Sequence, residues 1–168
     1  INDLRWRLEE ETLAVIAMQA PMAGDLRQIA AGLHIISELE RMGDHAAGNA
    51  KIVLLTANEP QLKPLVDIPR MATVVRAMLT KAIDAFIRSD DELARETMVM
   101  DDEIDELYNQ VYRELLTYMM NDPHTINRAT HLLWAAHNLE RMGDRTENIC
   151  EFVCYAVTGS IVEAHDLS

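Results

Sequence analysis

The sequence predicts an all-α fold: a tandem repeat of two antiparallel three-helix bundles, the first truncated at its N-terminus. Three observations predict it. Gly and Pro are scarce, 6 and 5 in 168 residues, aromatics make up 5%, and few β-branched runs alternate with polar residues, so little favours strands and much favours long helices. Apolar residues recur instead at helical spacing. Finally, Leu39-Glu-Arg-Met-Gly-Asp44 returns letter for letter as Leu139-Glu-Arg-Met-Gly-Asp144, 100 residues on, and Val53 meets Val153 at the same offset. A repeat of this length implies two copies of one helical unit.

The elements follow from the breakers. A first helix ends at Pro21 to Gly24, and a periodic stretch from Asp25 leads into a long second helix reaching about Thr56. Residues 58–69 hold three prolines in twelve positions; each removes a backbone donor and disfavours helix at the residue before it. A third helix is expected from Ile68 to Arg88, a fourth from a Ser89 or Asp90 cap to Met120, and a fifth opening at Asn121-Asp-Pro123 and running to Thr158 and Gly159. Ile1, Leu4, Leu8, Glu11 and Leu13 align with Ile104, Leu107, Val111, Glu114 and Leu116 at an offset of 103, the difference being absorbed at the turn containing Pro21 or Pro123. The expected organisation is therefore a first repeat over 1–57 lacking its first helix, a proline-containing linker over 58–67, a complete second repeat over 68–159 and a tail over 160–168. The first copy lacks the counterpart of 68–103, which leaves an apolar face uncovered and predicts self-association, as a dimer.

Charge narrows the function. With 15 basic against 28 acidic residues the chain carries −13, and such a field opposes binding to a phosphate backbone, so nucleic acid is not an expected partner. No apolar run approaches the roughly 20 residues needed to cross a bilayer, so membrane insertion is not expected, and residues 1–20 lack the order of a signal peptide. The reading is a cytoplasmic protein. Cys150 and Cys154, four apart in a helix, read as buried reduced thiols. No Ser/His/Asp or Cys/His array, Walker loop or dinucleotide fingerprint appears, so catalysis is not expected.

The chemistry lies in the repeated hexapeptide. Glu40 with Asp44, and Glu140 with Asp144, stand four residues apart and so face one way from a helix. Asp101 and Asp105 repeat the spacing on the fourth helix, beside the apolar stripe of Ile104, Val111 and Leu115. Carboxylates converging at a bundle seam repel and raise one another's pKa unless a cation neutralises them. Oxygen-only ligation selects hard divalent or trivalent cations, here iron, magnesium, manganese or calcium. Acidic pairs on helices are commonly solvated faces. A solvated face, however, gives no reason to keep Glu-Arg-Met-Gly-Asp twice while Glu38, His45, Ala47 and Lys51 become Asn138, Arg145, Glu147 and Glu151. Gly43 and Gly143, costly in mid-helix, are expected to allow close packing. Arg41 and Arg141 are expected to pair with a neighbouring helix rather than bind phosphate. The six His show no Glu-x-x-His spacing of a di-iron bundle, and the ten Met read as core filler, with a partner surface as the alternative.

Two helical repeats, each ending in a helix with Glu-Arg-Met-Gly-Asp, resemble the PhoU family of phosphate-signalling proteins, with Glu/Asp-x-x-x-Asp present as Glu40/Asp44, Glu140/Asp144 and Asp101/Asp105. The stretch Asp144-Arg-Thr-Glu-Asn-Ile-Cys-Glu-Phe-Val153 is also similar to the family's second copy. The resemblance implies a cytoplasmic adaptor that, when phosphate is plentiful, restrains the phosphate ABC transporter through its ATPase subunit and a phosphate-sensing histidine kinase. It also implies metal ions held on the acidic motifs. Asn2 stands where Asp105 stands in the second repeat, a departure at the first site. The alternative is a metal-binding or purely structural helical bundle with no transporter partner.

Overall fold

The computed structural model describes residues 1–160 and Val162, and the described residues contain only helices and connections. The expected tail over 160–168 lies, apart from Ser160 and Val162, outside them. In order come α1 (Asn2–Gln19), α2 (Ala23–Thr56), α3 (Asp67–Arg88), α4 (Asp91–Met98), α5 (Asp101–Asn121) and α6 (Ile126–Thr158), with a 3₁₀ turn at Pro123–Thr125. The all-α expectation holds. None of these helices is long and apolar enough to cross a membrane.

One predicted helix is two. The stretch expected to run unbroken from Ser89 or Asp90 to Met120 is interrupted at Val99 and Met100. Asp90 caps α4 as expected, its carboxylate accepting from the Leu93 amide at 3.0 Å. The break has a packing cause. Ala94, Thr97 and Met98 are buried from α4, and Ile104, Leu107, Val111 and Leu115 from α5, so each segment buries its own stripe. At the next corner Asp122 caps the 3₁₀ turn through the His124 amide, and the Thr125 hydroxyl donates to the Tyr118 and Asp122 carbonyls.

The two longest helices, α2 and α6, form the most extensive pairing in the molecule. They run antiparallel, and their contacts obey the sequence repeat. Adding 100 to a residue of α2 and subtracting 100 from its α6 partner exchanges one contact for another. Glu38 with Arg145, at 3.3 Å, thus becomes Asn138 with His45, also at 3.3 Å. Glu38 with Asn148 likewise becomes Asn138 with Gly48, where the Asn138 amide nitrogen lies 3.0 Å from the place of a Cβ. The two hexapeptides therefore meet across a local twofold axis. On this face Met42 is buried, and the Thr146 hydroxyl lies 3.9 Å from its sulfur. Glu38, 6% exposed, is the charged hub, accepting from Arg41, Arg145 and Asn148.

The core is uneven across that axis. In the second repeat α3, α4 and α5 all pack on α6 around Met71, Met78, Ile104, Leu115 and Ile149. In the first, α1 has α2 as its one extensive neighbour and buries no residue fully, leaving Leu4 exposed where its counterpart Leu107 is buried. The expectation of an uncovered apolar face on the first two helices matches this arrangement. Met42, Met71, Met78 and Met98 are core, whereas Met18, Met22 and Met120 are exposed. The linker is held by Lys63, buried and ion-paired with Glu114 and Asp67. At the far end Gly159 takes φ 76°, and a Cβ there would lie 3.3 Å from the Arg27 guanidinium carbon, which places a cation at the negative end of α6.

Candidate metal centre

The seam between α5 and α6 is built on a glycine. A Cβ at Gly143 would lie 2.3 Å from Asp101 Oδ1 and 3.0 Å from Ile104 Cδ1, so only a residue without a side chain lets Asp101 stand against the backbone of α6. Gly43 occupies the related place, its absent Cβ 2.4 Å from Ile1 Cδ1. Ile1 and Ile104 are the residues matched at the offset of 103. Both glycines therefore serve close packing, as expected from the sequence.

The acids of the second set lie near enough to raise one another's pKa. Burial comes first in lifting Asp101, to about 8, with the charges of Glu147, Asp105, Asp144 and Glu140 adding to it in that order. Asp105 is raised by burial and then by Asp144 and Asp102. Glu140 is raised by burial and by Asp144, with His137 and Arg141 opposing. Glu147, absent from the ligand set expected from the sequence, is raised by burial and then by Glu151 and Asp144; a hydrogen bond with Asp101 offsets part of the rise. A hydrogen bond between two carboxyls requires a proton on one of them.

Two oxygens of this seam are buried without a hydrogen-bond partner, Asp101 Oδ1 and Glu140 Oε2. The latter is 3.2 Å from His137 Nδ1, near enough for charge attraction but without hydrogen-bond geometry. Buried acceptors of this kind are costly to leave unpaired. The donor chemistry and the orphaned oxygens fit a hard cation. No group of three or more His, Cys, Asp or Glu side chains among the described residues is assembled at metal-binding range. Occupation would therefore draw the carboxylates inward from their present rotamers.

The first repeat differs. Glu40 has Arg5 Nη1 at 3.4 Å, and Asp44 is exposed. Asn2 takes the place of Asp105 there. The expectation for the repeated arginines, Arg41 and Arg141, needs correction. Arg41 pairs with Glu38 at 2.8 Å and Arg141 with Asp144 at 2.6 Å, each within its own helix, because the i, i+3 neighbour is nearer than any group across the seam. Arg145, next to the second hexapeptide, reaches across instead, to Glu38 on α2. Two histidines lie outside a purely surface or capping role: His45 bonds Asn138 across the repeat axis, and His34 stacks on Phe152 with ring centroids 4.5 Å apart; exposed His137 sits beside Glu140. Cys150 and Cys154 are buried and free, and burial raises both thiols, as fits unreactive core positions.

The family model described as the PhoU domain matches residues 1–53 and 68–153, both sides of the linker. A phosphate-specific transport system accessory protein PhoU homolog of Caulobacter vibrioides is 42% identical over 160 residues, covering 95% of this chain and 70% of that protein. The homolog of the same name from Aquifex aeolicus is 43% identical over 163 residues, covering 97% and 74%. The crystal structure of PhoU from Pseudomonas aeruginosa superposes with a TM-score of 0.90 at 35% identity, covering 95% of this chain and 77% of that one. The phosphate transport system regulatory protein PhoU from Streptococcus pneumoniae gives 0.80 at 31% identity, covering 96% and 79%.

Proposed function

The chain belongs to the PhoU family, and from that premise we propose that it is an accessory and regulatory adaptor of a phosphate transport system. Its helical faces bind, at the cytoplasmic side, the ATPase subunit of a phosphate ABC transporter and a phosphate-sensing histidine kinase, restraining both when phosphate is plentiful. The chain acts by docking rather than by chemistry of its own. A divalent or trivalent cation is held by Asp101, Asp105, Glu140 and Asp144, with Glu147 as a further oxygen donor. When bound, it would neutralise the seam and tie α5 to α6.

The observation that carries the reading is the coincidence of the family likeness with the carboxylate seam. The segments that match the family contain an acidic cluster whose buried oxygens lack partners. Glu40 and Asp44 are the weaker ligand pair, since Arg5 already offsets Glu40. The test is a pull-down from source cytosol and membranes with the full-length protein as bait, with and without divalent metal. Recovery of a phosphate-transporter ATPase or a histidine kinase supports the adaptor. Absence of both with metal still bound would leave a metal-holding or structural bundle instead.

A further inference from the structure

Met120, at the C-terminal end of α5, is 83% exposed, so core filling does not account for it. It ends a stripe. Tyr112, Leu116 and Met120 follow one another at i, i+4 and i+8 and share one face of α5, and all three are exposed. This face belongs to the complete repeat. There α3 and the linker meet α5 on the opposite flank, through Arg70 with Glu103, Asp67 with Gln110 and Lys63 with Glu114, while Ile104, Leu107, Val111 and Leu115 are buried in the core. Neither α3 nor α4 packs extensively on α1. By the same twofold relation, a counterpart of residues 68–103 in the first copy would not reach α5, so the stripe is bare whether or not that counterpart is present.

The repeat marks the same position. Leu13, the counterpart of Leu116 at the offset of 103, is exposed on α1, so an outward leucine stands in both copies. Only the second copy extends it into a stripe, because Glu9 and Ala17 stand where Tyr112 and Met120 stand.

Charge selects the occupant. Six acidic residues and one basic residue, Arg113, lie on α5. Exposed Asp102 and Glu106 precede the stripe, and exposed Asp122 follows it. A second copy of this chain would bring like charges together, and an anionic bilayer meets the same net charge of −13. Adaptable methionine and aromatic side chains between acidic ends are complementary instead to an amphipathic helix with a basic polar face. Glu106 and Asp122 stand sixteen residues apart, about 24 Å at 1.5 Å per residue, which a partner helix of about 16 residues matches.

We infer that the Tyr112, Leu116 and Met120 face of α5 docks a basic amphipathic helix of a partner protein, with aliphatic side chains on the stripe and lysines or arginines on Asp102, Glu106 and Asp122. None of these six residues is a ligand candidate at the carboxylate seam. The site requires neither bound metal nor a partner from a transport system, so it can fail while the adaptor reading stands, and the reverse.

The experiment is methyl and aromatic NMR of the full chain, titrated with a synthetic helix of about 16 residues carrying Leu along one face and Lys elsewhere. A scrambled peptide of the same composition, whose leucines share no face, and a version with Glu for every Lys serve as comparisons. Ionic strength is held at about 0.15 M, where long-range surface attraction is screened. Saturable shifts are expected at the Leu116 and Met120 methyls and the Tyr112 ring. The amphipathic peptide should bind about tenfold tighter than the scramble, the worth of one buried aliphatic side chain, and the acidic peptide should not bind. Leu116→Ser with Met120→Ser, both at exposed positions, should erase the margin over the scramble. Asp102→Asn with Glu106→Gln should weaken the basic peptide roughly two- to fivefold, as for exposed ion pairs. Equal binding of amphipathic and scrambled peptides, saturable shifts centred on another face, or an unchanged margin in the Leu116/Met120 variant overturns the proposal.

Discussion

Replacing Gly143 with alanine tests the seam at its tightest point. In an open helix interior Gly→Ala stabilises by about 1 kcal/mol, because glycine loses more backbone freedom on folding. Gly32 offers that reference: its new Cβ would meet only Phe86 Cζ, at an ordinary 3.6 Å. At Gly143 the same methyl would fall 2.3 Å from Asp101 Oδ1 and 3.0 Å from the δ-methyl of fully buried Ile104. Relieving both means moving α5 or turning Asp101 out of its place, and overpacking of this kind costs about 1–3 kcal/mol. The net expectation is a loss of about 0–2 kcal/mol for Gly143→Ala against a gain of about 1 for Gly32→Ala. At roughly 2–4 °C per kcal/mol for a chain of this size, the two melting temperatures should move in opposite directions or differ by several degrees. Thermal melts of the metal-free proteins read this directly. Equal gains from the two substitutions would refute the close approach of α5 to α6.

The remaining predictions concern the charges. Glu38→Ala removes the acceptor shared by Arg41, Arg145 and Asn148 and should cost about 2–3 kcal/mol in urea denaturation, since a half-buried arginine loses its partner. The seam carboxyls have folded pKa values above their unfolded ones, so their contribution is fully present below about 4 and is lost as pH rises. For Asp101 the loss extends to about 8. The urea midpoint of metal-free protein should therefore fall between pH 5 and pH 8, and Asp101→Asn should flatten the fall. A midpoint that rises over that range in wild type, or an unchanged slope in the variant, would count against the raised pKa.

Much of this architecture is legible in the sequence because packing constraints left it there. The exact repeat marks α2 and α6 as equivalent and singles out Gly43 and Gly143 for close packing; that Glu38 faces Arg145, that Asn138 faces His45 and that Ile1 and Ile104 meet the glycines is seen only in the structure. The break at Val99 and Met100 is not legible. Neither residue is a helix breaker, and both keep right-handed helical backbone angles, so the interruption comes from tertiary burial of two separate stripes rather than local preference. The arginine pairings depart from the expectation because each arginine has an acid three residues away in its own helix, Glu38 before Arg41 and Asp144 after Arg141. Glu147 could have been found among the acids: it stands one turn beyond Asp144 and two beyond Glu140, on the same edge of α6. Its counterpart Ala47 shows why a search for repeated letters passed over it. The orphaned oxygens of Asp101 and Glu140 depend on side-chain placement that no spacing rule supplies.

The central claim is that the second acidic cluster holds a cation. Elemental analysis after exhaustive dialysis, comparing the wild type with Glu140→Ala/Asp144→Ala and with Glu40→Ala/Asp44→Ala, tests it most directly. Bound metal is expected in the wild type, with its loss in the Glu140/Asp144 double variant and retention of the second-repeat metal when Glu40 and Asp44 are replaced. Unchanged metal content in the Glu140/Asp144 variant, with its helical fold intact by circular dichroism, would contradict it.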